Sequence, residues 1–340
     1  MSVLTMVAPG VMALERRSVR EPTSREVLIK IVATGICGTD LHGVAGENGR
    51  RTPGQVMGHE TAGYVDRVGD GVDPAIVGRP VTIDPLVSCG DCDACRNGAA
   101  QQCPDRWVIG VRADFDAAFA EYITVPIDSV VLLPVAMPVW YGALIEPLAV
   151  GYHAMVRAAT NPNDRVLIIG GGPIGQAAAI ACRRLGVERV VVSEPDELRG
   201  AVVEALGFVR TTPADLNEAV RRHLDTKATV VIDAVGSSMT VAAALSNSQR
   251  GARIVLVGMA SQQLTLWAYD ITAAERVLIG AYCYSHEDFR STAAWAADHP
   301  ETMSVLVDLH EPLARGPHVF AALLNGTTKA NKVLLRDEVG

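Results

Sequence analysis

Residues Gly170-Gly171-Gly172-Pro173-Ile174-Gly175 join a short apolar run, Arg165 to Ile169, to a helical run, Ile174 to Leu185. Few folds accept such a junction. Gly170 permits the tight turn, Gly172 lets the backbone approach a diphosphate, and Gly175 lets helix and strand pack closely. Amide groups at a helix start favour an anion there, and Pro173 costs little in a first turn, where its missing N–H has no helical partner. The same glycines also occur in a mere tight turn, so the surroundings decide. Arg189 to Ser193, Val230 to Asp233 and Arg253 to Val257 are further strand candidates, and Val277 to Ile279 is a candidate edge strand. Pro195 opens a helical pattern with Leu198, Ala201, Val202, Ala205 and Leu206 on its apolar face. Strands alternating with helices predict an α/β domain whose parallel sheet is covered on both sides. Glu194 ends the second strand, where a carboxylate would hold adenosine ribose hydroxyls and repel a ribose phosphate, which favours NAD over NADP. A solvated helix cap is its plainer reading. Arg199 is placed to meet the phosphate side or to pair with an acid.

The first third of the chain reads differently. Val27 to Ala33, Gly63 to Val68, Val81 to Asp84 and Phe119 to Val125 are short strand candidates punctuated by glycine and proline, which predicts a compact, mostly β domain. Four of the seven cysteines, Cys89, Cys92, Cys95 and Cys103, lie close together. That spacing fits four thiolates around one zinc ion with no vacancy for water, a structural site; an iron centre or unrelated thiols are the alternatives. A second set is dispersed: Cys37, His59, Glu60 and Glu146. A thiolate, an imidazole and a carboxylate hold zinc while leaving a place for an alcohol oxygen, whose pKa the ion would lower. By residue type alone, a buried thiol beside a core histidine stands level with that reading.

The chain has 340 residues and a formal charge of -8, with no basic stripe, which argues against a nucleic-acid partner. Met1 to Arg20 lacks the pattern of a secretory signal, and the longest apolar region, Val166 to Cys182, is broken by glycines, Pro173 and Gln176. No membrane partner and a cytoplasmic location are the expectations. Domain boundaries fall near residues 150 and 287.

Cys37-Gly38-Thr39-Asp40-Leu41-His42, Gly58-His59-Glu60, the four-cysteine lobe, the glycine motif, Asp233-Ala234-Val235-Gly236 and the closing Lys332-Val333-Leu334-Leu335 occur in one order. Together they resemble the zinc-dependent medium-chain dehydrogenases over nearly the whole chain, most of all the polyol (sorbitol-like) and threonine dehydrogenase branches. Ile145-Glu146-Pro147 carries a glutamate where the liver-type alcohol dehydrogenases have a cysteine ligand. The resemblance implies a GroES-like catalytic domain over 1–150 and 288–340, a Rossmann NAD-binding domain over 151–287, and an active cleft between them. It implies one catalytic and one structural zinc per chain. Cys37 and His59 resemble catalytic ligands, and Glu60 and Glu146 are unranked candidates for carboxylate ligation. Thr39 and His42 resemble a proton relay that runs through the nicotinamide ribose. The implied reaction is hydride transfer between a small secondary alcohol or polyol, with cyclitols and amino alcohols included, and NAD. The rival readings are a physiological NADH-dependent ketone reductase, a lyase with bound NAD, and a catalytically silent nucleotide-binding protein. A homodimer or homotetramer, formed through the sheet edge near Val277 to Tyr282, is the implied assembly. Asp114 to Phe119 departs from the usual glycine-containing stretch, and Trp107, Phe115, Trp140, Tyr141 and Tyr282 to His286 are candidate specificity contacts.

Overall fold

A computed structural model describes residues 1–46, 49 and 51–336; positions 47, 48, 50 and 337–340 of the expected catalytic span lie outside the described residues. The chain forms two compact units, one from Met1–Glu146 together with the segment from Ser285 onward, the other Pro147–Tyr284.

The second unit contains six parallel strands in the spatial order Val209–Thr211, Arg189–Ser193, Arg165–Ile169, Ala228–Asp233, Ser248–Leu256, Val277–Gly280. The order reverses on either side of Arg165–Ile169, the arrangement of a doubly wound dinucleotide fold. Its strands read as unbroken apolar runs because both faces are buried. Val166 and Ile168 join a cluster with Val190, Val192, Val230 and Ile232, while Leu167 and Ile169 join Val191, Val231 and Ile254 in another. Successive side chains therefore enter opposite cores, each buried one contributing about 1.5–3 kcal/mol.

The expected helix after Pro195 is Glu197–Ala205, capped by Asp196, whose side chain accepts the Arg199 N–H at 3.1 Å. Its inward face meets the one the spacing suggests at Leu206, but not at Leu198, Ala201 or Ala205. Gly200, Val203 and Leu206 are buried, whereas Leu198, Ala201 and Ala205 are exposed. At Gly200 the Arg210 side chain occupies the space that a Cβ would take. The inward face of the helix is thus bare at Gly200, where Arg210 of the next strand lies against it.

The first unit is β-rich. Its main sheet runs Leu309–Glu311, Val333–Leu335, Glu26–Gly35, Glu60–Val68, Pro80–Ile83, Val130–Leu132, with Tyr122–Pro126 also pairing the central Glu26–Gly35. Tyr122–Pro126 begins later than Phe119 because Phe119 turns into the core, edge-on to Phe320 at 5.5 Å between ring centres. The late strand Val333–Leu335 lies antiparallel beside Thr34 and Gly35. The fold is GroES-like and β-rich in this unit and Rossmann-like in the other.

Glu26 ties the entry to the central strand. It accepts both terminal nitrogens of Arg20, at 2.8 and 2.9 Å, and the N–H and hydroxyl of Thr23. Arg20 is the main reason its pKa falls from 4.5 to about 2. A depressed folded-state pKa gives stability that is present above the unfolded value and lost as pH drops through the folded one. Glu26→Gln is expected to cost about 1 kcal/mol at pH 7, discounted for the exposed arginine. The cost should vanish as pH falls through about 2, which urea titrations across that range will measure.

Candidate active site

The short helix Gly38–Val44 starts at Cys37, and Asp40 closes its first turn by accepting the Cys37 N–H at 3.2 Å. This places the Cys37 thiol at the helix start, with the Thr39 hydroxyl donating to its sulfur at 3.2 Å. His59 and Glu60 follow from the turn at Gly58, whose φ of 99° and backbone contact with Phe119 exclude a side chain. The donor atoms of Cys37, His59 and Glu60 lie within 4.8 Å of one another. Glu146 does not join that group. It sits buried in the first turn of Ile145–Arg157, close enough for its charge to act on His59 and Lys332. The two carboxylates that residue type left level are thus separated by geometry.

Burial opposes charge on His59, yet Asp40, Cys37 and Glu146 outweigh it and hold the imidazole well above its ordinary pKa. Lys332 is likewise held up against its burial, chiefly by Glu60 and Cys37. An anion-rich pocket that stabilises any cation placed in it is what a metal centre requires. Four buried atoms also lack hydrogen bonds here, Asp40 Oδ1, Arg51 Nε, His59 Nδ1 and Glu60 Oε2, and the first and third lie 3.6 Å apart. An imidazole that turns one nitrogen toward a carboxylate is the usual arrangement for a ring that ligates through the other. The residues fit zinc.

Thr39 and His42 share this helix three residues apart and so project from one side of it, Thr39 half-buried and His42 exposed in the last turn. Three residues that the sequence reading gave no role support the site. Asp40 is fully buried, Arg51 approaches it at 3.6 Å, and Lys332 pairs with Glu60. Lying among other polar residues in the sequence, they carried no signal of this. Of the aromatic candidates, Tyr284 is wholly buried, Trp107 rests on Phe115, and Trp140 rests on Tyr141 and His310.

The four-cysteine lobe converges as its spacing suggests. All four sulfurs lie within 4.8 Å of each other, with Cys103 to Cys89 at 3.5 Å and Cys89 to Cys95 at 3.9 Å. Sulfurs about 2.3 Å from one tetrahedral ion would be about 3.8 Å apart. Beside it, His286 bonds Asp84 at 2.6 Å and Ser88 at 3.4 Å. His286 belonged to the aromatic-rich stretch suspected of touching substrate; here it braces the lobe.

In the second unit the glycine motif turns as expected. Gly170 has φ 94°, and a Cβ on Gly175 would overlap the Gly170 carbonyl oxygen. Pro173 and Ile174 begin the helix Pro173–Arg184, with Gly172 as its cap. A Cβ at Gly172 would meet only the Arg199 guanidinium, at 3.8 Å, so this part of the turn is open to a ligand. Glu194 is buried, and its two oxygens accept the N–H groups of Gly171 at 2.7 Å and Asp196 at 2.8 Å. Each oxygen keeps a lone pair for a further donor. Gly175→Ala is expected to push helix and strand apart at a cost of about 1–3 kcal/mol. It should also weaken NADH binding by at least about tenfold, measured by fluorescence titration.

Residues 23–135 match the alcohol dehydrogenase GroES-like domain, and residues 173–298 match the zinc-binding dehydrogenase family. The chain is 33% identical over 270 residues to L-idonate 5-dehydrogenase of Vitis vinifera, covering 76% of this chain and 74% of that one. It is 30% identical over 317 residues to L-galactonate-5-dehydrogenase of Escherichia coli K12, covering 92% of each. The crystal structure of galactitol-1-phosphate dehydrogenase from Escherichia coli matches with a TM-score of 0.90 at 28% identity, over 99% of this chain and 100% of that one. This chain belongs to the zinc-type medium-chain dehydrogenase/reductase family, related to its polyol and sugar dehydrogenase branches. It is a zinc- and NAD-dependent oxidoreductase of small alcohols, polyols included.

Proposed function

We propose that the chain oxidises a secondary hydroxyl on an open, polyhydroxylated carbon chain, a polyol or a sugar acid, to the ketone. The convergence of the Cys37, His59 and Glu60 donors carries this reading. The relatives named for L-idonate, L-galactonate, sorbitol and galactitol 1-phosphate support the substrate class. When bound, zinc supplies Lewis acidity toward a hydroxyl oxygen, and nicotinamide accepts the hydride.

The chain's own residues divide the remaining work. Cys37 and His59 hold the metal, Glu60 is the carboxylate that converges with them and can join, and Glu146 is a further carboxylate nearby. Thr39, bonded to the Cys37 sulfur, is positioned to take up the proton of a hydroxyl held at the cluster, and His42 on the same helix side passes it outward. Gly170, Gly172, Pro173, Ile174 and Gly175 form the diphosphate turn, with Arg199 above it. Glu194 sets the preference for NAD, because its buried charge opposes a ribose phosphate. Cys89, Cys92, Cys95 and Cys103 hold the structural zinc. The domains are 1–150 with 288–340, catalytic, and 151–287, coenzyme-binding.

A second copy of the chain is the expected partner. The edge strand Val277–Gly280 lies in a unit that also exposes Met239, Met259, Trp267 and Tyr269, each more than half accessible. Among the described residues no helix is long and apolar enough to cross a membrane. Thiol clusters persist in reducing compartments, so the cytoplasm is the proposed location.

A panel of polyols, sugar acids, cyclitols, amino alcohols and matching ketones, followed by NADH absorbance, tests the assignment. Turnover of open-chain polyhydroxy substrates with NAD supports it. NADH binding without turnover of any panel member would point to a silent nucleotide binder, and product without net NADH to a lyase. Glu194→Ala is expected to shrink the preference for NAD over NADP by about tenfold or more. Equal use of both cofactors by the unaltered enzyme would remove Glu194 from that role.

A further inference from the structure

Glu60, Gly35 and Leu334 form a row across three neighbouring strands. Gly35 pairs with Glu60 on one side and with Leu334 on the other. A Cβ on Gly35 would overlap Glu60 Oε2, so the carboxylate lies in the space that the glycine leaves open. Across that opening Glu60 forms an ion pair with Lys332, and both side chains are almost wholly excluded from water. Lys332 Nζ also donates to the Ile36 carbonyl at 3.3 Å, next to Cys37.

Such a pair is expensive to bury, and it contributes little net stability compared with apolar residues of similar volume. Its placement indicates a different use. Glu60 pairs with one cation, the Lys332 ammonium, and also has a carboxylate oxygen within 4.8 Å of the Cys37 and His59 donor atoms, where a metal would be held. In formal charge, the anions Cys37, Glu60 and Glu146 balance a zinc dication together with the lysine. Without the ammonium the cluster carries one surplus negative charge, which favours the metal.

We propose that Lys332 is a positioning residue that competes with the metal for Glu60 across the bare Cα of Gly35. The ion pair thereby sets how tightly the Cys37–His59–Glu60 cluster holds zinc and keeps Glu60 from closing the site. This rests on the catalytic-zinc reading above.

Lys332→Met, Glu60→Gln and the double variant test it on the full-length, zinc-loaded enzyme. The readouts are zinc loss to a chelator and the visible spectrum of cobalt substituted at this cluster. Lys332→Met is expected to slow metal loss by roughly tenfold or more, and to shift the cobalt bands as the carboxylate joins. In the Glu60→Gln background, the same change should have no effect on metal loss. If Lys332→Met does not fold, Lys332→Gln, which keeps a donor for Ile36, takes its place. Metal loss at the parent rate or faster overturns the proposal, as does an undiminished effect in the Glu60→Gln background. If Cys37→Ser retains all the metal of the parent, the zinc reading itself fails and this inference with it.

Discussion

Cys37→Ser is expected to carry one zinc fewer per chain than the parent and to lose roughly a thousandfold in kcat/KM, the several kcal/mol that Lewis-acid stabilisation supplies. The substitution keeps the side chain's size but replaces a soft thiolate with a hydroxyl that does not ionise near neutral pH. Cys37 is the residue through which the helix start, the Thr39 hydroxyl and the His59 ring are brought together. The four-cysteine lobe uses none of these groups, so its zinc should stay. Metal counting per chain and steady-state kinetics check both parts. Full metal with full turnover would place the chemistry elsewhere.

Cys95→Ala reverses that pattern. Its sulfur lies 3.9 Å from that of Cys89 and accepts from the Ser88 hydroxyl, the main cause of a pKa drawn down to about 6. Three remaining sulfurs leave a tetrahedral ion open to water and to chelators, and a closed site becomes a labile one. Loss of zinc from the lobe is expected to cost about 4 kcal/mol or more in unfolding free energy, since metal binding there is folding energy. The Cys37 cluster should retain its metal, and residual activity should persist at low temperature. Denaturant unfolding with metal counting decides between this and a lobe whose thiols are merely neighbours, for which both quantities would stay at parent values.

The parts legible in the sequence were those set by local rules. Arg165 to Ile169 and Arg189 to Ser193 appear as strands with the expected ends because burial on both faces leaves unbroken apolar runs. The glycine turn was legible because Gly170 and Gly175 answer to backbone sterics within a few residues. The face of the helix Glu197–Ala205 is legible only at Leu206, since the burial of Gly200 against Arg210, from the following strand, is a contact that apolar spacing does not register. The Glu60–Lys332 pair was illegible for the same reason on a larger scale: no spacing rule connects a residue after the Gly58 turn to one before the last strand. Likewise, spacing gave Glu60 and Glu146 equal standing, and only the folded β unit brings one of them within reach of both Cys37 and His59.

Hydride transfer dependent on a metal is the claim on which the rest depends, and isotopic labelling reads it directly. A polyol or sugar acid that the substrate panel identifies is prepared with deuterium on the reacting carbon and turned over with NAD, and the nicotinamide is analysed by mass spectrometry. The account predicts one deuterium on the reduced nicotinamide for each ketone formed. It also predicts that both disappear when zinc is stripped and return when zinc is restored. Ketone formed with no label on the cofactor, or at an unchanged rate in protein freed of metal, would contradict it.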